Sequence, residues 1–487
     1  VNLAMKQFSC LSCWLVLFAA WFWGGRELPA ADEPFDLVIR GGRVMDPESG
    51  LDAVRGIGIR DGMIVAISEG PLSGREVIDA RGLVVGPGFI DLHQHAFDEE
   101  SIRLKARDGV TSILELEAGT AGVARWYGER AGVSRLNHGV SAGHIPVRMK
   151  VMGDLPSFLP KSDSRAATRT ASQDELEELR RELARGLTEG AAAVGFGFGY
   201  TPAATEAEIE AMFEVAAAHR AGCHVHLRGR RDEAVEEVRR LAEMATRTGA
   251  PLHVVHLQAT ATTSTPALLR LVADLQATGR DVSCEVYPWT AGMTEIQSPL
   301  FNEGWEERYG ISYGDMQWGA TGERLTPASF ARFRRTGGLV IVHSNREETV
   351  TGAVSHPLAM IASDGLPGHP RNAGTYARML GFYVRERGVL DLRTALAKMS
   401  LMPARRLESR VPSMKKRGRV QEGCFADLVL FQPETVGSPA TYEDAARPSE
   451  GIPWVLVAGT AVVRNGRLVE EARPGRPLRA PVPGEGN

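Results

Sequence analysis

The chain has 487 residues, of which 43% are hydrophobic and 24% charged, ordinary globular composition for one large domain and a smaller companion. Its formal net charge of −4 excludes the basic footprint expected of a nucleic-acid-binding protein. The five cysteines form neither a disulfide framework nor a clustered zinc motif: Cys10 and Cys13 sit near the N-terminus, and Cys223, Cys284 and Cys424 are far apart and read as small buried hydrophobes.

At the N-terminus, Lys6 precedes the apolar run Leu11 to Trp23, and Leu28-Pro29-Ala30-Ala31-Asp32 offers small residues for cleavage. That layout predicts a signal peptide over residues 1–31 and a secreted or periplasmic protein. The run is short for a bilayer, so no stable membrane span is expected after cleavage.

Next, Phe35 to Asp46 alternates and turns like a β-hairpin, and short strands follow over Gly56 to Ser68 and Glu76 to Ala80. The far end has the same texture: Phe425 to Phe431 reads as a strand, and Trp454 to Gly459 with Val462 to Arg467 as two more, the last broken by an Asn-Gly turn. These ends predict a small β-sandwich domain built from residues 33–86 and 413–480.

Between them, strands and helices alternate. Thr111 to Glu117 is strand-like, Gln173 to Glu189 an amphipathic helix, and Ala191 to Phe198 a glycine-rich strand. Thr205 to Ala221 is a helix opened by a capping box of Thr205 and Glu208. Strand His224 to Leu227, helix Asp232 to Thr248, strand Leu252 to Leu257, helix Pro266 to Thr278 and strand Asp281 to Tyr287 continue the pattern. Leu339 to His343 and Met360 to Ala362 are the last two strands. Such alternation predicts an α/β fold, a (β/α)8 TIM-like barrel over residues 87–412. Its segment 292–338, with Phe301, Trp305, Tyr309 and Tyr313, is too long for a simple loop and reads as a lid-like insertion.

Candidate ligands gather where these strands end. His93 and His95, after the strand-like Gly86-Pro87-Gly88-Phe89-Ile90-Asp91, share one face and can hold a divalent ion. Further on come the pairs His224/His226 and His253/His256, and Asp364 in Ser363-Asp364-Gly365.

Together these motifs resemble the amidohydrolase superfamily, and most closely its N-acyl-D-amino-acid deacylase (D-aminoacylase) branch. The resemblance runs from about Asp36 to Gly466. Its most specific parts are Pro87 to His95, His226-Leu227-Arg228, Tyr287-Pro288-Trp289-Thr290-Ala291-Gly292, Ser363 to Pro367 with His369-Pro370-Arg371, and Gly423 to Val429. It implies a barrel with a small β-sandwich and one or two zinc ions held by His93, His95, His226, His256 and Asp364. It further implies that Asp364 acts as general acid and base and that the Tyr287 hydroxyl holds the oxyanion. Arg371 would pair with a substrate carboxylate and Tyr200 would be a further substrate contact; His144, which also fits a family motif, we read as structural or as supporting the ligands from behind.

Two departures stand out. The bridging cysteine usual in the family falls on Ala118, which cannot bind metal. In Ser112 to Ala118 the leucines 114 and 116 alternate with Glu115 and Glu117; if the leucines meet the surrounding helices, both carboxylates face the barrel, and Glu117 replaces the cysteine as metal ligand. The family's His-x-Lys pattern is here His256-Leu257-Gln258, so one positive charge near the substrate carboxylate is missing.

The leading expectation is therefore a zinc hydrolase of a linear amide, an N-acyl-D-amino-acid deacylase-like enzyme acting on a small molecule. The alternatives are a cyclic-amide hydrolase, dihydroorotase- or hydantoinase-like, and a barrel that has lost catalysis and only binds a ligand.

Overall fold

Residues 34–484 are described by a computed structural model; the expected signal peptide, with Cys10 and Cys13, lies outside them. Eight parallel strands, Phe89–Asp91, Val110–Thr120, Asn137–Gly143, Val194–Gly197, Cys223–His226, Leu252–Val254, Val282–Val286 and Ala359–Ile361, pair in chain order. The first and last close the barrel through irregular backbone: Gly365 N–H donates to the His93 carbonyl at 3.3 Å and His95 N–H to that of Gly365 at 3.1 Å. Apolar side chains such as Ile113, Val140, Val225 and Val254 point outward into a continuous core with the helices, through Leu179, Leu183 and Val238.

One of the barrel-strand expectations is corrected. Leu339–His343 is not a barrel strand; it is the middle of a three-stranded antiparallel sheet with Ala291–Glu295 and Met316–Trp318. This sheet and the segments between its strands, residues 291–343, enclose their own aromatic core of Phe301, Trp305, Tyr309, Trp318 and Phe330, so the insertion is longer than 292–338. The barrel position is filled instead by Asn137–Gly143, whose small, polar residues give no apolar signal. Small residues are required there: a Cβ on Gly139 would stand 2.6 Å from Leu114 Cδ2, and one on Gly143 1.9 Å from the Ala118 carbonyl oxygen.

Strands from both termini form one nine-stranded mixed sheet. Val84–Pro87 is its seam, parallel to Phe35–Met45 on one side and antiparallel to Leu428–Phe431 on the other. The expected hairpin over Phe35 to Asp46 is one continuous strand. Its glycines mark a bulge, where the register moves from Ile39 opposite Ile57 to Gly42 opposite Arg55, with Gly41 at φ +73°. The sheet ends at Leu468. Beyond it, the tail runs beside the barrel strand Asn137–Gly143, with Leu478 N–H 2.7 Å from the His138 carbonyl, instead of completing the small domain to residue 480.

Helix Glu206–Ala218 starts at Thr205, whose hydroxyl accepts the Glu208 N–H. The reciprocal half of the expected capping box is absent, because the Glu208 carboxylate turns inward to His144 Nε2 at 2.8 Å and to Arg148. His144 is thus structural. Cys223, Cys284 and Cys424 are buried and free, as expected.

Candidate metal centre

Each ligand-bearing strand ends in its own way. His93 and His95 leave the first strand with their Nε2 atoms 3.1 Å apart. On Cys223–His226, strand alternation turns both His224 and His226 inward, and only His226 is at the open end. His253 also faces inward, so simple alternation would turn His256 toward the helices. The strand stops at Val254, however, and His256 adopts a left-handed backbone, φ +30°, which brings its Nε2 to 3.0 Å from His226 Nδ1. Asp364 is likewise left-handed, φ +52°, with Oδ1 3.1 Å from His95 Nε2 and 3.5 Å from His93 Nε2. Such backbone is unfavourable for residues with a Cβ and collects at functional sites.

Glu117 joins them by a different route from the one expected. Leu114 and Leu116 pack with Ile90, Leu92 and Met360 and with Leu407, Val411 and Met414, not with the helix ring around Leu179. Regular alternation would then turn Glu117 away from the ligands. The ladder breaks instead: Glu115 pairs with Val140 and Thr120 with Ala142, so residues 116–119 bulge opposite Ser141 alone. The Glu115 carboxylate secures the bulge, accepting the N–H groups of Glu117 at 3.1 Å and Ala118 at 2.9 Å. Glu117 Oε2 thereby reaches His93 Nε2 at 2.5 Å, and Oε1 reaches His226 Nδ1 at 2.8 Å.

The donors fall into two groups, His93, His95, Glu117 and Asp364 in one and Glu117, His226 and His256 in the other, each within 4.8 Å. Glu117 belongs to both, the arrangement of a bridge between two cation sites. The chemistry of the set fits a divalent ion. Burial opposes protonation of His93, yet the carboxylates of Asp364, Glu117 and Glu285 outweigh it and raise its pKa to about 10. Burial also disfavours charge on Glu117 and Asp364, but Glu117 is held well below the usual carboxylate range by His226 and His93, and Asp364 by Arg371 and His93. A buried cluster of this charge and these N and O donors calls for a cation in place of protons.

Behind the ligands stands a layer that the sequence reading missed. Glu285 Oε1 lies 2.6 Å from His93 Nδ1, its Oε2 3.1 Å from His253 Nε2, and His253 Nδ1 2.8 Å from Ser283 Oγ. His93 and His253 hold Glu285 down to about 2 despite burial. Glu115 does the same orienting for His95 through Nδ1. The alternation of Ser283, Glu285 and Tyr287 along one inner face was the available signal.

Over the ligands lies a cavity of about 630 Å³ walled by Phe158, Tyr200, Tyr287, Met293, Leu300 and Tyr309. The insertion thus forms part of its wall. The Tyr200 ring packs on His226 at 4.7 Å, and its hydroxyl lies 3.0 Å from Thr294 Oγ1. The buried Tyr287 hydroxyl has no hydrogen-bond partner, and burial pushes its pKa upward, so it remains a donor. Arg371 is fully buried and not part of this wall; its Nη1 sits 2.8 Å from Asp364 Oδ2. Gln258 is also behind the wall, donating to the Tyr287 carbonyl at 3.0 Å.

A closed parallel barrel with histidines and carboxylates converging at the C-terminal strand ends defines the class of metal-dependent barrel hydrolases. Residues 76–469 match the model of the amidohydrolase family. The chain is 30% identical to the N-acyl-D-glutamate deacylase of Alcaligenes xylosoxydans xylosoxydans, covering 92% of this chain and 97% of the relative. It is 28% identical to the D-aminoacylase of the same organism, covering 88% of this chain and 95% of that one. Its fold superposes with a TM-score of 0.80 on a zinc and phosphonate-inhibitor complex of the N-acyl-D-glutamate deacylase from Bordetella bronchiseptica, at 27% identity over 92% of this chain and 100% of the other. The chain belongs to the amidohydrolase family, in its D-aminoacylase branch, and is a hydrolase of carbon–nitrogen bonds other than peptide bonds.

Proposed function

We propose that the protein is a zinc-dependent deacylase that cleaves the linear amide of an N-acyl-D-amino acid, releasing a carboxylate and the amino acid. The observation that carries this reading is the convergence of His93, His95, Glu117, His226, His256 and Asp364 beneath a cavity with an apolar wall, in a chain similar over nearly its full length to deacylases of such substrates. Those six side chains would hold one or two zinc ions. Bound there, zinc would supply Lewis acidity, activating water and polarising the amide carbonyl.

The chain's own residues do the rest. Asp364, kept ionised by Arg371, takes a proton from the attacking water and passes it to the leaving nitrogen. Tyr287 donates its unpartnered hydroxyl to the carbonyl oxygen as negative charge develops. Phe158, Leu300, Met293 and Leu366 offer an apolar wall for the acyl chain, and Tyr200 packs where the substrate meets His226. The insertion carrying Met293, Leu300 and Tyr309 acts as a cover that excludes water.

A screen of paired N-acyl-D- and N-acyl-L-amino acids, with cyclic imides alongside, tests the reading. Cleavage confined to the D series is expected; turnover of cyclic imides alone would replace the reading with that of a cyclic-amide hydrolase.

Residues 1–31 we read as an export signal, from Lys6, the apolar run Leu11 to Trp23 and the small residues that follow. Among the described residues no helix is long and apolar enough to cross a membrane. Expression of the full chain with mass analysis of the exported product tests this: loss of about 31 residues is expected, and an intact N-terminus in the cytoplasm would contradict it.

A further inference from the structure

The cavity wall contains one Lys or Arg among the described residues, Arg230, and no ion pair joins it to a carboxylate there. It lies just past the ligand strand Cys223–His226, in a loop held rigid from behind: Gly229 N–H donates to Glu237 Oε2 at 2.6 Å, and Arg231 N–H to the Thr260 carbonyl at 3.1 Å. The guanidinium is oriented too. Its Nη2 donates to the Ala259 carbonyl at 2.8 Å, and its central carbon sits 3.7 Å from the centre of the Tyr309 ring. Its Nε is buried with no partner. Stacking on one face leaves a guanidinium's edge free to donate, in its plane, to a carboxylate.

Arg371, the cation expected to do this from the sequence, is committed to Asp364 and lies behind the wall. Gln258, the position where a lysine was missing, adjoins Ala259, to which Arg230 donates. A positive charge therefore stands next to that position, supplied from a different strand end and facing the cavity.

We propose that Arg230 is the specificity-determining residue that receives the carboxylate of the acylated amino acid, with the Tyr309 ring of the insertion fixing the plane of its guanidinium. This rests on the deacylase reading for the identity of the substrate, but not for the presence of a carboxylate subsite.

The test compares N-acetyl-D-leucine with its carboxamide, which has the same shape and no charge, on the zinc-loaded wild type, Arg230→Gln and Arg230→Lys. Wild type is expected to favour the carboxylate by roughly 10- to 100-fold in KM. Arg230→Gln is expected to erase that preference with zinc content as in wild type, and Arg230→Lys to keep part of it. Titration calorimetry with both compounds reads binding whether or not they are cleaved. Carboxylate-selective binding that Arg230→Gln abolishes, without cleavage, would sustain the subsite and remove the deacylase reading. Equal binding of both compounds by wild type, or a preference that survives in Arg230→Gln, would overturn the proposal.

Discussion

Glu117 reaches His226, Oε1 to Nδ1 2.8 Å, only because the strand that carries it leaves its ladder between Glu115 and Thr120. The bulge converts an ordinary alternating strand into one that delivers a carboxylate to both groups of donors. It also explains how the site stays complete with alanine at position 118, where a cysteine would otherwise stand.

Replacing Glu117 with Ala removes the one side chain common to both groups. Bound zinc is expected to fall, and turnover to drop by more than about 100-fold, the upper end of what merely orienting residues cost. The double variant Glu117→Ala with Ala118→Cys is expected to recover part of the metal content. Metal analysis with steady-state kinetics checks both; unchanged zinc in Glu117→Ala would make the bridge irrelevant.

Glu285 touches no substrate, and its effect runs through His93 Nδ1, 2.6 Å away. Glu285→Gln keeps the shape and removes the charge. Zinc affinity, read by competition with a chelator, is expected to weaken by about 10- to 100-fold. The same kcat at saturating zinc would accompany it.

The Tyr287 hydroxyl has no partner within the protein. Tyr287→Phe therefore removes a donor to the developing oxyanion without leaving anything unpaired. A fall in kcat of about 100-fold is expected, with KM and zinc content near those of wild type. A change confined to KM would assign Tyr287 to binding alone.

The sequence made the type of fold and most of the ligands legible, for physical reasons. His93, His226 and Asp364 sit at strand ends, where a period of two and a flanking glycine or apolar run mark them. Asn137–Gly143 was hidden because close packing against Leu114 and Ala118 demands small residues, which carry no strand signal. Leu339–His343 misled for the converse reason: its apolar run is that of any buried strand, and only pairing partners distinguish a barrel from a separate sheet. Glu117 was picked out from a premise about Leu114 and Leu116 that the packing reverses, since a bulge cannot be read from alternation. Arg230 was invisible as a site residue because its role depends on Tyr309, some eighty positions on.

A pH effect separate from the metal centre comes from Asp108. Burial pushes its carboxyl up to about 6, against hydrogen bonds from Ser449 Oγ and the N–H groups of Tyr376 and Ala377. The folded value lies above the unfolded one, so the protonated form favours folding. That contribution is complete below about pH 4 and lost as pH rises through about 6, a change of roughly 3 kcal/mol. Relative to Asp108→Asn, wild type is expected to lose thermal stability across that window and to run parallel above it. Parallel curves throughout would show that Asp108 titrates normally.

The most direct test of a metal-dependent centre on these six side chains is to strip the purified protein with a chelator and titrate zinc back while following hydrolysis of an N-acyl-D-amino acid. Activity should vanish on stripping and return in proportion to bound zinc in wild type, and should fail to return in Glu117→Ala. Hydrolysis that persists in fully stripped protein, or zinc that binds without restoring it, would contradict the assignment.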